Sequence, residues 1–295
     1  MGVVMKGIVL AGGSGTRMYP LTLGTSKQLL PIYNKPMVYY PMSVLMLAEI
    51  TDILIISTPD SLPHIERLFG DGSRLGLNIS YAEQTEPRGI ADAFVVGAEH
   101  VAGEDSALIL GDNLFHGTGF GDLLRDSKQR LDGCTLFGHP VSDPERYGIG
   151  EVNDKDELVS IEEKPLRPRS NNAITGLYFY DSDVVEMARE LQPSARGELE
   201  ITDINRMYLK DGRARLVTLG RGFTWLDAGT HESLLEASQY VQVIEHRQGV
   251  RVACVEEIAL RMGFISASDC HELGAQMKNS DYGRYIMDVA SSLAS

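Results

Sequence analysis

The residues best equipped for chemistry stand near the start of the chain. Gly12, Gly13, Ser14, Gly15, Thr16 and Arg17 follow directly on the apolar run Lys6–Ala11. Glycines let a backbone approach a ligand closely and take positive φ, so successive N–H groups can converge on an anion. Thr16 adds a hydroxyl, and Arg17 a planar fork of donors that matches phosphate. An ordinary strand-to-helix turn is the plain alternative, but three glycines and an arginine within six residues point to phosphate binding. Two common phosphate motifs do not fit. G-x-x-x-x-G-K-[ST] is absent, and G-x-G-x-x-G fails because Met18 holds the last glycine position after Gly13 and Gly15.

Other chemistry-bearing residues say less by themselves. Asp112 ends the apolar run Ala107–Leu110, where open α/β sheets present ligands, and Asp227 follows Trp225-Leu226. A lone Asp at a strand end is often only a turn former, and two so far apart in sequence define nothing by spacing. The seven histidines show no ligand spacing. The three cysteines, Cys134, Cys254 and Cys270, form no C-x-x-C and leave an odd thiol, as expected of a reducing, cytoplasmic setting. A net charge of −14 argues against general nucleic-acid binding while leaving room for a local basic pocket. The N-terminus carries no signal-peptide or myristoylation pattern, and the longest apolar stretch, Met37–Ala48, is too short to span a bilayer.

The elements that must hold these residues follow from hydrophobic pattern. Strands are expected at Lys6–Ala11, Asp52–Thr58, Asn78–Ala82 and Ala107–Leu110, with helices at Pro36–Ile50 and Gly89–Val101. Such alternation predicts a parallel, doubly wound sheet. Strands at Thr135–Phe137, Ile149–Val152, Leu158–Ile161 and Leu177–Tyr180, joined mostly by short turns, suggest an antiparallel addition. Helices then dominate: Asp183–Leu191, Ile201–Lys210, Glu232–Glu245 and a final stretch through Ala294. With 295 residues, 43% of them apolar, one large α/β domain is expected rather than two equal ones.

GGSGTRMYPLT followed by SKQLLPIYNKPM resembles the signature of the sugar-1-phosphate nucleotidyltransferase family, and within it the thymidylyl branch. LGDN (Leu110–Asn113), DPERYG (Asp143–Gly148), EEKP (Glu162–Pro165), GLYFYD (Gly176–Asp181), GELEITDIN (Gly197–Asn205) and WLDAGTHESLLEAS (Trp225–Ser238) resemble further blocks in family order. The likeness runs from Lys6 to about Tyr285. It implies a Rossmann-like three-layer α/β/α fold with a mostly parallel mixed sheet, an antiparallel sugar-binding addition and C-terminal helices. Residues 1–235 would form the core, and 236–295 a C-terminal helical segment of the same domain.

The implied reaction is attack by the phosphate oxygen of glucose 1-phosphate on the α-phosphorus of dTTP, opening a dTDP-deoxysugar route such as that to rhamnose. That nucleophile is already ionised at pH 7, so no general base or Ser-His-Asp set is needed. The resemblance makes Arg17, Lys27, Asp112, Lys164 and Asp227 the catalytic set, with Asp112 and Asp227 holding Mg²⁺. It places the nucleotide on Gly12–Arg17, Lys27, Gln28, Gln84, Gly89 and Asp112. The hexose would lie on Asn113, Tyr147, Gly148, Glu163, Lys164 and Ile174. It also implies a second, inhibitory nucleotide site at Gly117, Glu257, Ile258 and Arg261, and a homotetramer.

Some positions depart from the family's pattern. Arg88 and Asp92 stand in Pro87–Asp92 where many relatives read Asp and Gln; they lie four apart and can pair. Gly150 and Asn172 replace the usual Val and aromatic residue. Uridylyl transfer is the nearest rival activity, because one methyl group separates thymine from uracil, and Gln28 after Lys27 favours the thymidylyl branch. A nucleotide-sugar-binding regulator without turnover is the non-enzymatic alternative.

Overall fold

The β-branched runs of the first half become strands covered on both faces, as expected where parallel strands lie between helix layers. The computed structural model describes residues 4–13 and 15–293. In chain order the strands are β1 (Met5–Leu10), β2 (Pro31–Ile32), β3 (Lys35–Pro36), β4 (Asp52–Ser57), β5 (Asn78–Glu83), β6 (Asp105–Leu110) and β7 (Asn113–His116). They continue with β8 (Cys134–Pro140), β9 (Gly148–Val152), β10 (Leu158–Glu163), β11 (Asn172–Tyr180), β12 (Ala214–Thr218) and β13 (Thr224–Asp227). The helices are α1 (Tyr39–Leu47), α2 (Leu62–Phe69), α3 (Asp92–Val96), α4 (Ala98–Val101), α5 (Phe120–Gln129) and α6 (Val184–Glu190). After them come α7 (Ile201–Lys210), α8 (His231–Gln248), α9 (Val255–Arg261), α10 (Ala267–Gln276) and α11 (Asp281–Leu293).

Among the described residues, nine strands share one sheet. β6, β1, β4 and β5 lie side by side in parallel, and β11 joins β6 antiparallel. Beyond β11 the sheet forks, one arm running through β8 to β12 and the other through β9 to β10. β13 pairs with β7, and β2 with β3, in two small antiparallel sheets. Period-2 alternation along β1 and β4 divides the core. Val9, Ile53 and Ile55 pack with α1, α2, α5 and α9 on one face; Ile8, Leu54 and Ile56 pack with α3, α6 and α7 on the other. Each such side chain, taken fully out of water, contributes about 1.5–3 kcal/mol. The expected three-layer mixed fold with its antiparallel addition is the fold observed.

Two expected helices differ in extent. The helix expected over 36–50 starts only at Tyr39, because Pro36 pairs with Pro31 in the β2–β3 hairpin. The one expected over 89–101 becomes α3 and α4, parted at Gly97. A Cβ there would sit 2.8 Å from the carbonyl oxygen of Ala93 and 3.2 Å from Ile8 Cδ1, so close packing on β1 demands glycine. The helix starts only at Asp92, because just before it Arg88 O accepts from Leu199 N–H and Ala91 N–H donates to Leu199 O. At the other end, α8 runs unbroken across residues 235 and 236. The final stretch is α9, α10 and α11, with Ala294 outside the described residues. No described helix is long and apolar enough to cross a membrane, and all three cysteines are free and buried.

Candidate active site

Parallel strands end on one edge, so β1, β4, β5 and β6 deliver Gly12, Thr58, Gln84 and Asp112 to the same side of the sheet. The glycine loop leaves that edge from a fixed point. Ala11 N–H donates to Ile56 O (2.7 Å), and Ser57 Oγ donates to Ala11 O (2.8 Å). Gly13 and Gly15 take φ of 106° and 60°, the region glycine favours. Thr22 Oγ1 ties the carbonyl of Gly15 (2.8 Å), and Gln28 Nε2 that of Gly12 (3.0 Å). Gln28 therefore acts on the loop itself. One-turn 3₁₀ helices at Thr16–Met18, Leu21–Leu23 and Lys27–Leu29 follow, rather than a long helix. Positive charge at this end thus comes from Arg17 and Lys27. Buried Met18 anchors the segment, while Arg17 is exposed and makes no hydrogen bond or ion pair among the described residues. Ser14 lies outside the described residues.

Strand pairing explains how Asp112 and Asp227 meet across so much sequence. β13 lies antiparallel to β7 with Asp227 opposite Asn113, and Ala228 N–H donates to Asp112 O (3.0 Å). Lys27 Nζ is ion-paired with Asp112 Oδ2, and Asn113 Nδ2 donates to Asp112 Oδ1 (2.9 Å). Burial pushes the Asp112 carboxyl up, but the charge and hydrogen bond of Lys27, helped by Asn113, hold it below the ordinary carboxylate value. Asp227 has no such donor among the described residues. Burial first, and then the charge of Asp112, push its carboxyl up to about 6 against the partial relief given by Lys27, Arg17 and Arg146.

The two carboxylates gather no third His, Cys, Asp or Glu into a ligand cluster among the described residues. A pair of hard oxygen donors, one of them free of hydrogen bonds, fits a cation such as Mg²⁺ that completes its shell with water and phosphate oxygens. Residues and ion are compatible.

Around this pair opens a cleft of about 270 Å³ whose lining brings together Arg17, Asp112, Asn113, Tyr147, Gly148, Glu163, Lys164, Ile174 and Asp227. Tyr147 packs edge-on against Trp225, their ring centroids 5.2 Å apart. Glu163, at the end of β10, accepts from Thr202 Oγ1 (2.6 Å) and lies 3.6 Å from Lys164 Nζ. Lys164 takes a φ of 44°, rare for a side-chain-bearing residue and often found at functional positions. A Cβ on Gly148 would sit 3.2 Å from Glu163 Oε2, so glycine keeps that carboxylate approachable. Asn113 is different. Its Oδ1 accepts from Trp225 Nε1 (2.6 Å) and Gly176 N (3.1 Å), and its amide NH₂ goes to Asp112. Its polar atoms thus serve the frame of the cleft. Gly150 faces Leu216, Leu158 and Ile174 behind the wall, so its departure from the family pattern falls on packing.

Two cations that sequence reasoning did not assign also line the cleft. Arg196 bonds Glu200 (2.8 Å) and lies 4.0 Å from Glu163; Arg146 bonds Asp143 (2.6 Å) and stacks on Tyr147. Each stands inside or one residue from a quoted block, DPERYG or GELEITDIN, and that adjacency was the available signal. A second groove, of about 620 Å³, is lined by Gly13, Lys27 and residues 58–61, and Lys27 links it to Asp112.

Gln84 is buried beside the glycine loop: a Cβ on Gly12 would lie 3.0 Å from its Oε1. Gly89 takes a φ of 106°, and a Cβ there would meet Leu199 O at 2.4 Å. The residues expected to form a second site have these surroundings. Gly117 packs against Phe223, while Glu257 on α9 accepts from Arg261 Nε (2.7 Å) and Tyr285 OH (2.6 Å), with Ile258 packed on the core.

Comparison with known proteins shows the family. A family model described as nucleotidyl transferase matches residues 6–243. A glucose-1-phosphate thymidylyltransferase of Neisseria meningitidis serogroup A is 54% identical over 283 residues, covering 96% of this chain and 98% of that one. One from Mycobacterium tuberculosis H37Rv is 50% identical over 285 residues, covering 97% and 99%. A Bacillus anthracis crystal structure described as such an enzyme in complex with a sucrose superposes with a TM-score of 0.74 at 40% identity, covering 80% of this chain and 94% of that one. With a matching fold, a matching family model and relatives aligned nearly end to end, the chain belongs to the nucleotidyl transferase family, among the members named glucose-1-phosphate thymidylyltransferase.

Proposed function

We propose that the protein transfers a thymidylyl group from dTTP to α-D-glucose 1-phosphate, giving dTDP-glucose and pyrophosphate. The observation that carries this reading is one cleft lined by Arg17, Lys164 and Arg196 together with Asp112 and Asp227, with Lys164 and Arg196 both within 4.0 Å of Glu163 and the charge of Arg17 acting on Asp227. Two polyanions need such an arrangement to approach each other. The triphosphate lies on the N–H groups of the glycine loop, with Arg17 and Lys27 compensating charge on the departing pyrophosphate. Lys164 and Arg196 hold the sugar phosphate, and Glu163 accepts from hexose hydroxyls. An oxygen of that phosphate forms the new bond to the α-phosphorus as the bond to the β-phosphate bridge breaks. No proton need move. Asp112 and Asp227 would hold Mg²⁺, which when bound supplies charge neutralisation at the phosphates.

The remaining assignments belong to the same reading. Gln84 and the backbone at Gly89 read the base, and Tyr147, Gly148 and Ile174 shape the hexose pocket. A second nucleotide site at Gly117, Glu257, Ile258 and Arg261 gives feedback by a downstream dTDP-sugar. The C-terminal helices support a homotetramer, and the enzyme works in the cytoplasm at the head of dTDP-deoxysugar synthesis. Pyrophosphate release with glucose 1-phosphate and Mg²⁺, comparing dTTP with UTP, tests the proposal. Preference for dTTP is expected; no release with either nucleotide, from folded protein, would favour the binding-regulator alternative.

A further inference from the structure

Next to Gln84, which stands beside the glycine loop, lies a buried carboxylate that the reaction does not use. Asp92, at the first turn of α3, is 2% exposed. Its Oδ2 accepts from Gln84 Nε2 at 2.9 Å, and its Oδ1 has no hydrogen bond, with Arg88 Nη1 3.8 Å away. Gln84 is itself buried, and no described residue donates to its Oε1, which stands against the glycine loop.

An amide side chain offers an acceptor at one end and two donors at the other, and unless something fixes it, either end can face a ligand. A carboxylate has only lone pairs to give, and here one of its oxygens meets the Gln84 amide nitrogen. Gln84 must therefore turn its NH₂ to Asp92, which leaves the carbonyl oxygen for the base. An acceptor pairs with the N3–H of an imide pyrimidine, thymine or uracil. It repels cytosine, whose N3 carries a lone pair. Sites built around a buried polar partner discriminate strongly, because the wrong ligand leaves that partner unpaired.

We propose that Asp92 is a specificity-determining positioning residue, locking the Gln84 amide so that the site accepts imide pyrimidines and rejects cytosine. This rests on the reading above that Gln84 faces the base. It concerns thymine and uracil against cytosine; the thymine methyl group is outside its reach. Asp92→Asn keeps the shape but can either donate or accept, so the Gln84 amide is free to turn over.

The test measures kcat/KM for dTTP, UTP and dCTP with glucose 1-phosphate in wild type, Asp92→Asn and Gln84→Met. In Asp92→Asn the dTTP-to-dCTP ratio is expected to fall at least about tenfold, with KM for glucose 1-phosphate unchanged within about twofold. Gln84→Met, which keeps the volume and removes the amide, should lower the ratio at least as far. If turnover becomes too slow, displacement of labelled dTTP by dCTP gives the same ratio. A ratio retained in folded Asp92→Asn, or equal losses on all three nucleotides, would show a merely structural carboxylate and overturn the proposal. If Asp92→Asn does not fold, a ratio retained in Gln84→Met overturns it equally. Wild-type protein that turns over no pyrimidine triphosphate would instead remove the thymidylyl-transfer reading on which this rests.

Discussion

Lys27 and Asp112, 85 positions apart, form an ion pair at the join between the glycine loop and the end of β6. Lys27 is 8% and Asp112 19% exposed at the side chain, so neither charge is well solvated without the other. Replacing one partner of a buried pair strands the other. Lys27→Met should therefore destabilise the fold by about 2–3 kcal/mol, in addition to cutting turnover at least a hundredfold. Urea denaturation checks the first effect and pyrophosphate release the second. A variant as stable as wild type would mean that Asp112 finds another cation.

Asp227 gives a prediction about pH. Its carboxyl, pushed up to about 6 by burial and by Asp112, exceeds its ordinary value of 3.8. The native state then binds more protons than the unfolded chain between those values. The stability this group contributes is thus fully present below about pH 4 and is lost as pH rises through about 6. In metal-free buffer, Asp227→Asn should be more stable than wild type by about 1–3 kcal/mol at pH 8, and the gap should close on acidification toward pH 4. Thermal melts across that range give the answer. The variant should also lose turnover, since its amide is a poorer ligand for a hard cation.

How much of this was legible beforehand depended on distance along the chain. The strands KGIVL and DILIIS declare themselves by composition, and Gly12–Arg17 by density of unusual residues. The meeting of Lys27 with Asp112, and of Asp112 with Asp227, depends on β1 pairing with β6 and β7 with β13. No local pattern carries such pairings. β13 has only four residues, and β12 is short and half-buried, so neither stood out as a strand. Arg196 sits in a loop without periodicity, where a surface cation and a cleft cation look alike. The break in the second expected helix came from the contact of Gly97 with Ile8, a tertiary demand overriding propensity.

In the function proposed above, Gly89 lies where the base-binding loop meets the loop that carries Arg196. Leu199 N–H donates to Arg88 O (2.7 Å), and Ala91 N–H donates to Leu199 O (3.2 Å), three residues from Arg196. Gly89→Ala would place a methyl group against Leu199 O and force an unfavourable φ, at a cost of about 2–3 kcal/mol. KM for dTTP should rise, and KM for glucose 1-phosphate should rise with it because both loops must shift. An increase confined to dTTP would show that the two loops adjust independently.

Trp225 is the only tryptophan, so its fluorescence reports on the cleft it lines. Its Nε1 donates to Asn113 Oδ1. Asn113→Ala removes the partner of Trp225, of Gly176 N and of one Asp112 oxygen. The loss of these buried bonds should cost about 3 kcal/mol. The emission spectrum should shift in the folded variant, and urea denaturation should reveal the lower stability. An unchanged spectrum would contradict the role given to Asn113 as the frame of the cleft.

The central claim is that the protein supplies position and charge while the sugar phosphate itself attacks the α-phosphorus. The most direct test uses dTTP carrying a chiral α-thiophosphate, with the configuration of the dTDP-glucose product read by ³¹P NMR. One in-line displacement predicts inversion at the α-phosphorus. Retention would require two displacements through a nucleotidylated side chain, and would contradict the account.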